Sequence, residues 1–362
     1  EFIPAAALVL VTGAVADRYD RRRVGSIAVL VEALAALLFA AYAGTDPTAI
    51  APLLGFAVLF GVGRAFAAPS LRSLPADIVA PERLPWLVAR WAITWQSAMI
   101  VGPVAAGFLY AVDVRAPYVL AAVLFGLAAV ALPTVRSGAP GGAARAGAPA
   151  AAPRPGVRDA LDGLRFVRRQ PVLLGAISLD LFAVLFGGAL ALLPAVAEDR
   201  LGVGAVGFGW LRAANGIGAA AVTGVLAFRP LYRHVGRTLL AAVALFGAAT
   251  IVLGVTTNYA VAFAAIIVAS GADALSVFVR TTLVPLVTPA NMRGRVLSVE
   301  NVFIGASNEL GAFESGVVGQ LLGPALAIGL GGVATLVVAA TWWVVFPALR
   351  KVDRFPARAQ AP

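Results

Sequence analysis

Residues 2–43 read FIPAAALVLVTGAVADRYDRRRVGSIAVLVEALAALLFAAYA, an apolar run from Phe2 to Ala16, a charged turn from Asp17 to Arg23, and a second apolar run from Val24 to Ala43. At about 1.5 Å per residue, some 20 mostly apolar residues cross the roughly 30 Å hydrocarbon core of a bilayer as a helix. Two such runs around a turn of arginines and aspartates therefore predict a helical hairpin in a membrane, its loop in water. Working outward, the same alternation gives further spans at Ile50 to Ser73, Pro85 to Val112, Val114 to Pro133, Pro171 to Ala197, Val203 to Ala227, Thr238 to Thr256, Tyr259 to Leu286, Val296 to Leu322 and Ala325 to Leu349. That makes eleven spans, joined mostly by turns.

Composition agrees. Of 362 residues 60% are hydrophobic and 13% charged, where a soluble domain carries about a quarter charged. Eleven spans need about 220 apolar positions, close to what the chain supplies. With no cysteine and one histidine, His234, thiolate catalysis, disulfides and the usual transition-metal ligand sets are excluded, and no cofactor is expected. The net charge of +10 does not mark a nucleic-acid partner, because the basic residues are dispersed in loops: taking alternate loops as one face, the face holding Asp17 to Arg23 carries 22 of the 28 Lys and Arg. The opposite face holds Arg115 and Arg200, and Arg64, Arg90, Arg212 and Arg280 lie within spans. By the positive-inside rule the arginine-rich face and the tail from Arg350 are cytoplasmic, in a multi-pass protein of the plasma or inner membrane that neighbours anionic lipid. The first run is short for a span, which predicts a preceding helix and twelve in all, eleven of them here.

The segment from Thr134 to Gln170 contains SGAPGGAARAGAPAAAPRPG, a composition that forms a flexible linker, followed by VRDALDGLRFVRRQ, whose apolar spacing predicts a short helix on the inner membrane surface. The expected organisation is an N-terminal bundle (1–133), a cytoplasmic linker (134–170), a C-terminal bundle (171–349) and a cytoplasmic tail (350–362). An internal repeat supports the division. At an offset of 208, LRSLPADIVAPERL (Leu71 to Leu84) overlays VRTTLVPLVTPANM (Val279 to Met292), pairing Arg72 with Arg280 and Pro81 with Pro289. Repeated bundles about an axis along the membrane normal are one architecture of secondary transporters.

In the first turn, Gly13 stands four residues before Asp17, followed by Arg18, Arg21, Arg22 and Arg23. The glycine permits close approach of a neighbouring helix, and Asp17 suits the positive N-terminal end of another. An ordinary positive-inside loop accounts for the arginines but not for the Gly-x-x-x-Asp-Arg spacing. In these residues the chain resembles the major facilitator superfamily, whose loop between helices two and three carries G-x-x-x-D-R-x-G-R-R. Gly13, Asp17, Arg18, Arg21 and Arg22 match, while Asp20 stands in place of the second glycine. The resemblance implies a two-bundle transporter whose helices two to twelve are the eleven spans, with this loop latching the cytoplasmic side as Asp17 meets the region of Arg293 to Val296. Gly224 to Arg229 with Gly236-Arg237 looks like a degenerate second copy with a lengthened turn. Gly102-Pro103-Val104-Ala105-Ala106-Gly107 is similar to the G-P-x-x-G-G pattern of proton-driven exporters, with Ala106 departing. Physically, Gly102, Pro103 and Gly107 allow a hinge, or tight packing alone. Arg64 keeps the arginine of an antiporter pattern, and VENVFIGASNELGAFESG together with VAPERL resembles the branch that includes enterobactin and macrolide efflux proteins.

Charges at bilayer depth are costly and normally face a polar interior. Arg64, Asp273 and Glu309 fall near mid-span, Asp180 is shallower, and Arg90 and Glu300 lie nearer the inner interface. Asn301 and Asn308 share a helix face with Glu309 at its edge. Arg64, Arg90, Asp180, Asp273, Asn301, Asn308 and Glu309 are thus the candidate proton and substrate cavity, with Asp180, Asp273 and Glu309 as candidate proton carriers. Interhelical ion pairing is the competing reading for each. Trp342 and Trp343 suit interfacial anchors. The settings of Asp180 and Asp273 lack the pattern of an intramembrane aspartyl protease, so no enzyme is expected. The function read from the sequence is proton-coupled efflux of a small amphipathic, siderophore- or drug-like molecule by a monomer. Lipid flipping, a receptor role and uptake by symport on the same fold stay open.

Overall fold

A computed structural model of the chain describes residues 19–45, 49–135 and 157–356, with positions 8, 12 and 15. Gly13, Asp17 and Arg18 lie outside the described residues, as does most of the first expected span. The chain separates into two compact units, residues 1–150 and 151–362.

In the first unit, α1 (Arg21–Ala43) packs against α2 (Ala51–Ser73) and α4 (Ala116–Ala131), with Ala28, Val29, Ala67 and Ala129 in the shared core. Small residues bring these helices close, which is how apolar helices gain contact where lipid removes the hydrophobic drive. Ser26 Oγ donates to the carbonyl of Ala129 at 2.7 Å. Helix α3 (Leu84–Val112) runs unbroken through Pro103, and Gly107 is buried while Gly102 faces open space. The start of α1 explains the departure at Asp20. Its φ is −60°, which any residue adopts, and its Oδ1 accepts from the backbone N–H of Arg22 at 2.9 Å. Asp20 is therefore the N-cap of α1, and no glycine is required there. Arg22 also pairs with Asp20 Oδ2 at 3.1 Å and donates through Nη1 to the carbonyl of Val135 at 2.9 Å.

The second unit comprises α5 (Val157–Arg169), α6 (Pro171–Phe186), α7 (Ala205–Phe228), α8 (Val235–Val255), α9 (Tyr259–Val287), α10 (Arg293–Leu322) and α11 (Pro324–Val345). The expected surface helix is α5. It turns by 110° into α6, and its apolar face lies on protein, where Val167 packs with Leu173, Ile177, Val284 and Val296. The expected span Pro171 to Ala197 is not one rod: α6 ends at Phe186, and short 3₁₀, α and π turns carry the chain on to Arg200. Gly187-Gly188 ends the helix, because glycine lowers the cost of leaving it. Helices α8 and α11 touch backbone to backbone. A Cβ on Gly247 would stand 2.9 Å from the carbonyl oxygen of Gly332, and one on Gly332 would stand 2.7 Å from that of Gly247.

Among the described residues eight helices are long and apolar enough to cross a membrane, or nine if the bent α5–α6 pair counts as one. Helix α10, 30 residues long, is not among them, because Glu300, Asn301, Asn308, Glu309 and Glu314 dilute its apolar content. The internal repeat extends to the elements. An offset of 208 carries the first residue of α2, Ala51, onto the first of α9, Tyr259, and that of α4, Ala116, onto that of α11, Pro324. Leu84 of α3 falls one residue before α10 begins. Arg115 donates to the carbonyl of Gly44 at 2.8 Å and Arg200 to that of Gly254 at 2.7 Å. Both basic residues of the poorer face thus satisfy carbonyls at the ends of α1 and α8.

Candidate functional site

The chemistry gathers in the second unit, around α9. Asp273 and Arg280 are seven residues apart on that helix, two turns, and so share a face. Arg280 is 3% exposed. Its Nη1 pairs with Asp180 of α6, and its Nε lies 3.2 Å from Glu300 Oε1 of α10. One guanidinium thus fastens three helices from the inside. A buried charge requires such partners, and removing one leaves the rest stranded. Beyond the cluster a small void bordered by Asp180, Ser276, Phe246 and Asp273 shares Val184, Phe246 and Asp273 with the lining of a larger cavity of about 230 Å³. Asp273 lines both, and among the described residues it has no hydrogen bond or ion pair. The larger cavity is walled by Gly187 and Gly188 at the break of α6, Asn215 of α7, Phe246 and Thr250 of α8, Ser270 of α9 and Asn308 of α10. Non-helical backbone at bilayer depth is tolerated where it lines such a cavity.

The local sequence explains these placements. Ser270 Oγ donates to the backbone carbonyl of Asn215, tying α9 to α7. Thr250 Oγ1 donates back to Phe246 at 2.9 Å, and Asn308 Nδ2 to the carbonyl of Ile304 at 2.7 Å, which leaves Asn308 Oδ1 as an acceptor for a ligand. Of the residues expected to form the cavity, Asp180, Asp273 and Asn308 come together here. Asp180 does so as an ion-pair partner rather than as an isolated carboxyl. Asn301 and Glu309 are exposed and line neither void. Asn301 shares the face of Asn308 but stands two turns nearer the start of α10, and Glu309 is about 100° further around its circumference. Arg64 and Arg90 belong to the first unit and are exposed, Arg90 with its guanidinium 4.3 Å from the ring of Trp86. In that unit Glu32 is a buried carboxyl, beside Gly63. Trp342 is not a free interfacial anchor: its Nε1 lies 3.1 Å from the carbonyl of Gly175 and its ring packs on Phe182 and Phe346.

Sequence reasoning missed Arg280 as the centre of the site, although it stood out as an arginine inside a span. It also missed Asn215, Thr250 and Ser270, single polar residues with no pattern of their own. The Major Facilitator Superfamily profile matches residues 2–312. The chain belongs to the Major Facilitator Superfamily. It is a multi-pass secondary transporter of that fold, not an enzyme. Solved structures agree on the fold. A peptide transporter of the POT family superposes with a TM-score of 0.71 at 14% identity, over 97% of this chain and 86% of that one. A bacterial homologue of the human lysosomal transporter Spinster gives 0.66 at 17%, over 98% and 89%. The nucleoside transporter NupG gives 0.69 at 15%, over 96% and 88%. No curated protein matches the sequence.

Proposed function

We propose that this major facilitator protein is a proton-coupled exporter that expels a small amphipathic molecule by alternating access. The observation that carries the reading is the charge count of one connected site. Arg280 supplies one guanidinium where Asp180, Glu300 and, across the small void, Asp273 supply three carboxyls. Asp180, Arg280 and Glu300 are buried while Asp273 opens to the cavity, and protons are the charges that can balance the excess carboxyls, so that their uptake and loss would alter the ion pairs that hold α6, α9 and α10 together. In this reading the bundles 1–133 and 171–349 rock about a central site, joined by the cytoplasmic linker 134–170, with the tail 350–362 on the same side. Gly13, Asp17, Arg18, Arg21 and Arg22 latch that side, while Gly102, Pro103 and Gly107 form the hinge of α3. Outward direction is supported by the resemblance to the enterobactin and macrolide efflux branch.

The test is reconstitution in vesicles with an imposed pH gradient and a pH-sensitive dye inside. An exporter of this kind moves protons when its substrate is added. The joint replacement of Asp180, Asp273 and Glu300 by their amides abolishes that movement. Proton-coupled flux that survives all three substitutions overturns the assignment, and phospholipid exposure without a gradient would replace it with lipid flipping.

A further inference from the structure

We propose that the cavity of the second unit takes a compact organic cation, an amine or the ammonium end of a larger molecule, on the carboxylate of Asp273. The inference rests on the reading above that this cavity belongs to the transport site, and it adds the charge class of the substrate.

Four observations converge. Among the described residues Asp273 is the one charged side chain lining the larger cavity, and no protein cation engages it. Arg280, the cation nearest along α9, is committed to Asp180 and Glu300. The other charged residues of the elements packed on α9, Arg212 of α7, Arg237 of α8 and Arg293, Arg295, Glu309 and Glu314 of α10, do not line the void. Next, Gly187 and Gly188 bring the carboxyl-terminal end of α6 to the wall, where the partial negative charge of the helix sits. The remaining polar lining is neutral, with Asn215, Thr250, Ser270 and Asn308 able to accept from an ammonium, and Phe246 offers a ring face or edge to its apolar part. Finally, a volume of about 230 Å³ falls below the roughly 300 Å³ at which pockets begin to hold drug-sized ligands. An anion would meet Asp273 and the helix end with no positive partner. A cation and a proton can each neutralise Asp273, but not at once, so one carboxylate suffices to exchange them.

Binding to the detergent-solubilised protein, followed by calorimetry, separates the charge classes with three probes of one shape: benzylamine, benzyl alcohol and benzoate. At neutral pH benzylamine should bind at least about tenfold more tightly than benzyl alcohol, and benzoate should bind no better than the alcohol. Asp273→Asn should remove the preference, so that the variant binds benzylamine no more tightly than it binds the alcohol. Ala312→Phe, which fills the void while keeping the carboxylate, should weaken both and keeps the test alive should the first variant fail to fold. Equal affinities for amine and alcohol, or an amine preference that survives Asp273→Asn, overturn the proposal. Failure here is distinct from failure of the transport reading. A protein that exchanges protons for a neutral or anionic substrate sinks this inference alone, and one that binds benzylamine but moves no protons sinks only the other.

Discussion

Arg280 shows at the scale of one residue how the bundle holds a charge. Both its partners come from other helices, Asp180 one hundred residues earlier and Glu300 twenty later, and all three side chains are buried. Arg280→Gln should therefore cost about 3–5 kcal/mol, because two buried carboxylates lose the one cation that pairs with them among the described residues. The loss should shrink when Asp180→Asn and Glu300→Gln are added, which a double- and triple-mutant thermal series in detergent would register. No spacing in the sequence announces this cluster, since contact across three helices depends on their packing and not on separation along one of them. Asp20 makes the contrasting case, a local interaction. Asp20→Ala should destabilise the start of α1 by about 1 kcal/mol, whereas Asp20→Gly, which restores the superfamily's usual residue, should cost only a few tenths. Hydrogen exchange at Arg22 to Gly25 would separate them. Hydrogen bonding from the Arg22 side chain holds the Asp20 carboxyl below the usual aspartate range. The cap's contribution is thus complete above the unfolded value of about 3.9 and is lost as pH falls through the lower folded value. Protection of those amides should accordingly fall in acid.

Among the elements, α8 and α11 meet backbone to backbone through Gly247 and Gly332. Gly247→Leu must push the two backbones apart, since even a Cβ there stands 2.9 Å from a carbonyl oxygen on α11, and should cost about 1–3 kcal/mol of stability. The same substitution at Gly224 of α7, where no atom lies within 4 Å of the Cβ position, should change the midpoint little. A shared loss in both variants would show that glycine content, not contact, sets stability. Helix positions were legible in the sequence because apolar run length and helix length obey one constraint, the thickness of hydrocarbon. The break in α6 was not. Gly187-Gly188 interrupts a run whose hydropathy continues, and composition averages over the pair. The glycine wall of the cavity was hidden for the same reason, because it begins where that helix stops. The repeat, faint as sequence, is plain as register: three identities at offset 208 become equal starting points for α2 and α9 and for α4 and α11.

At the level of the whole molecule, the two units share one way of handling charge. Basic side chains gather on one set of loops, and three of the exceptions have a structural account: Arg115 and Arg200 close helix ends, and Arg280 is neutralised in place. The asymmetry that remains is what orients a chain in a membrane, so the topology it predicts is open to a direct measurement. The sequence has no cysteine, and any one introduced is a unique reporter. Thr257→Cys, in the turn between α8 and α9, should react with an impermeant maleimide added to intact cells. Arg354→Cys, past the end of α11 on the arginine-rich face, should react only after the membrane is opened. Both sites are exposed and neither belongs to the ion cluster or the cavity, so folding should be unaffected and the contrast in labelling reports sidedness alone. Were Thr257→Cys protected and Arg354→Cys labelled from outside, the arginines would mark the outer face and the orientation read from them would be overturned, while exchange would still expel the substrate as protons enter, because the direction of antiport follows the gradients and not the way the carrier faces.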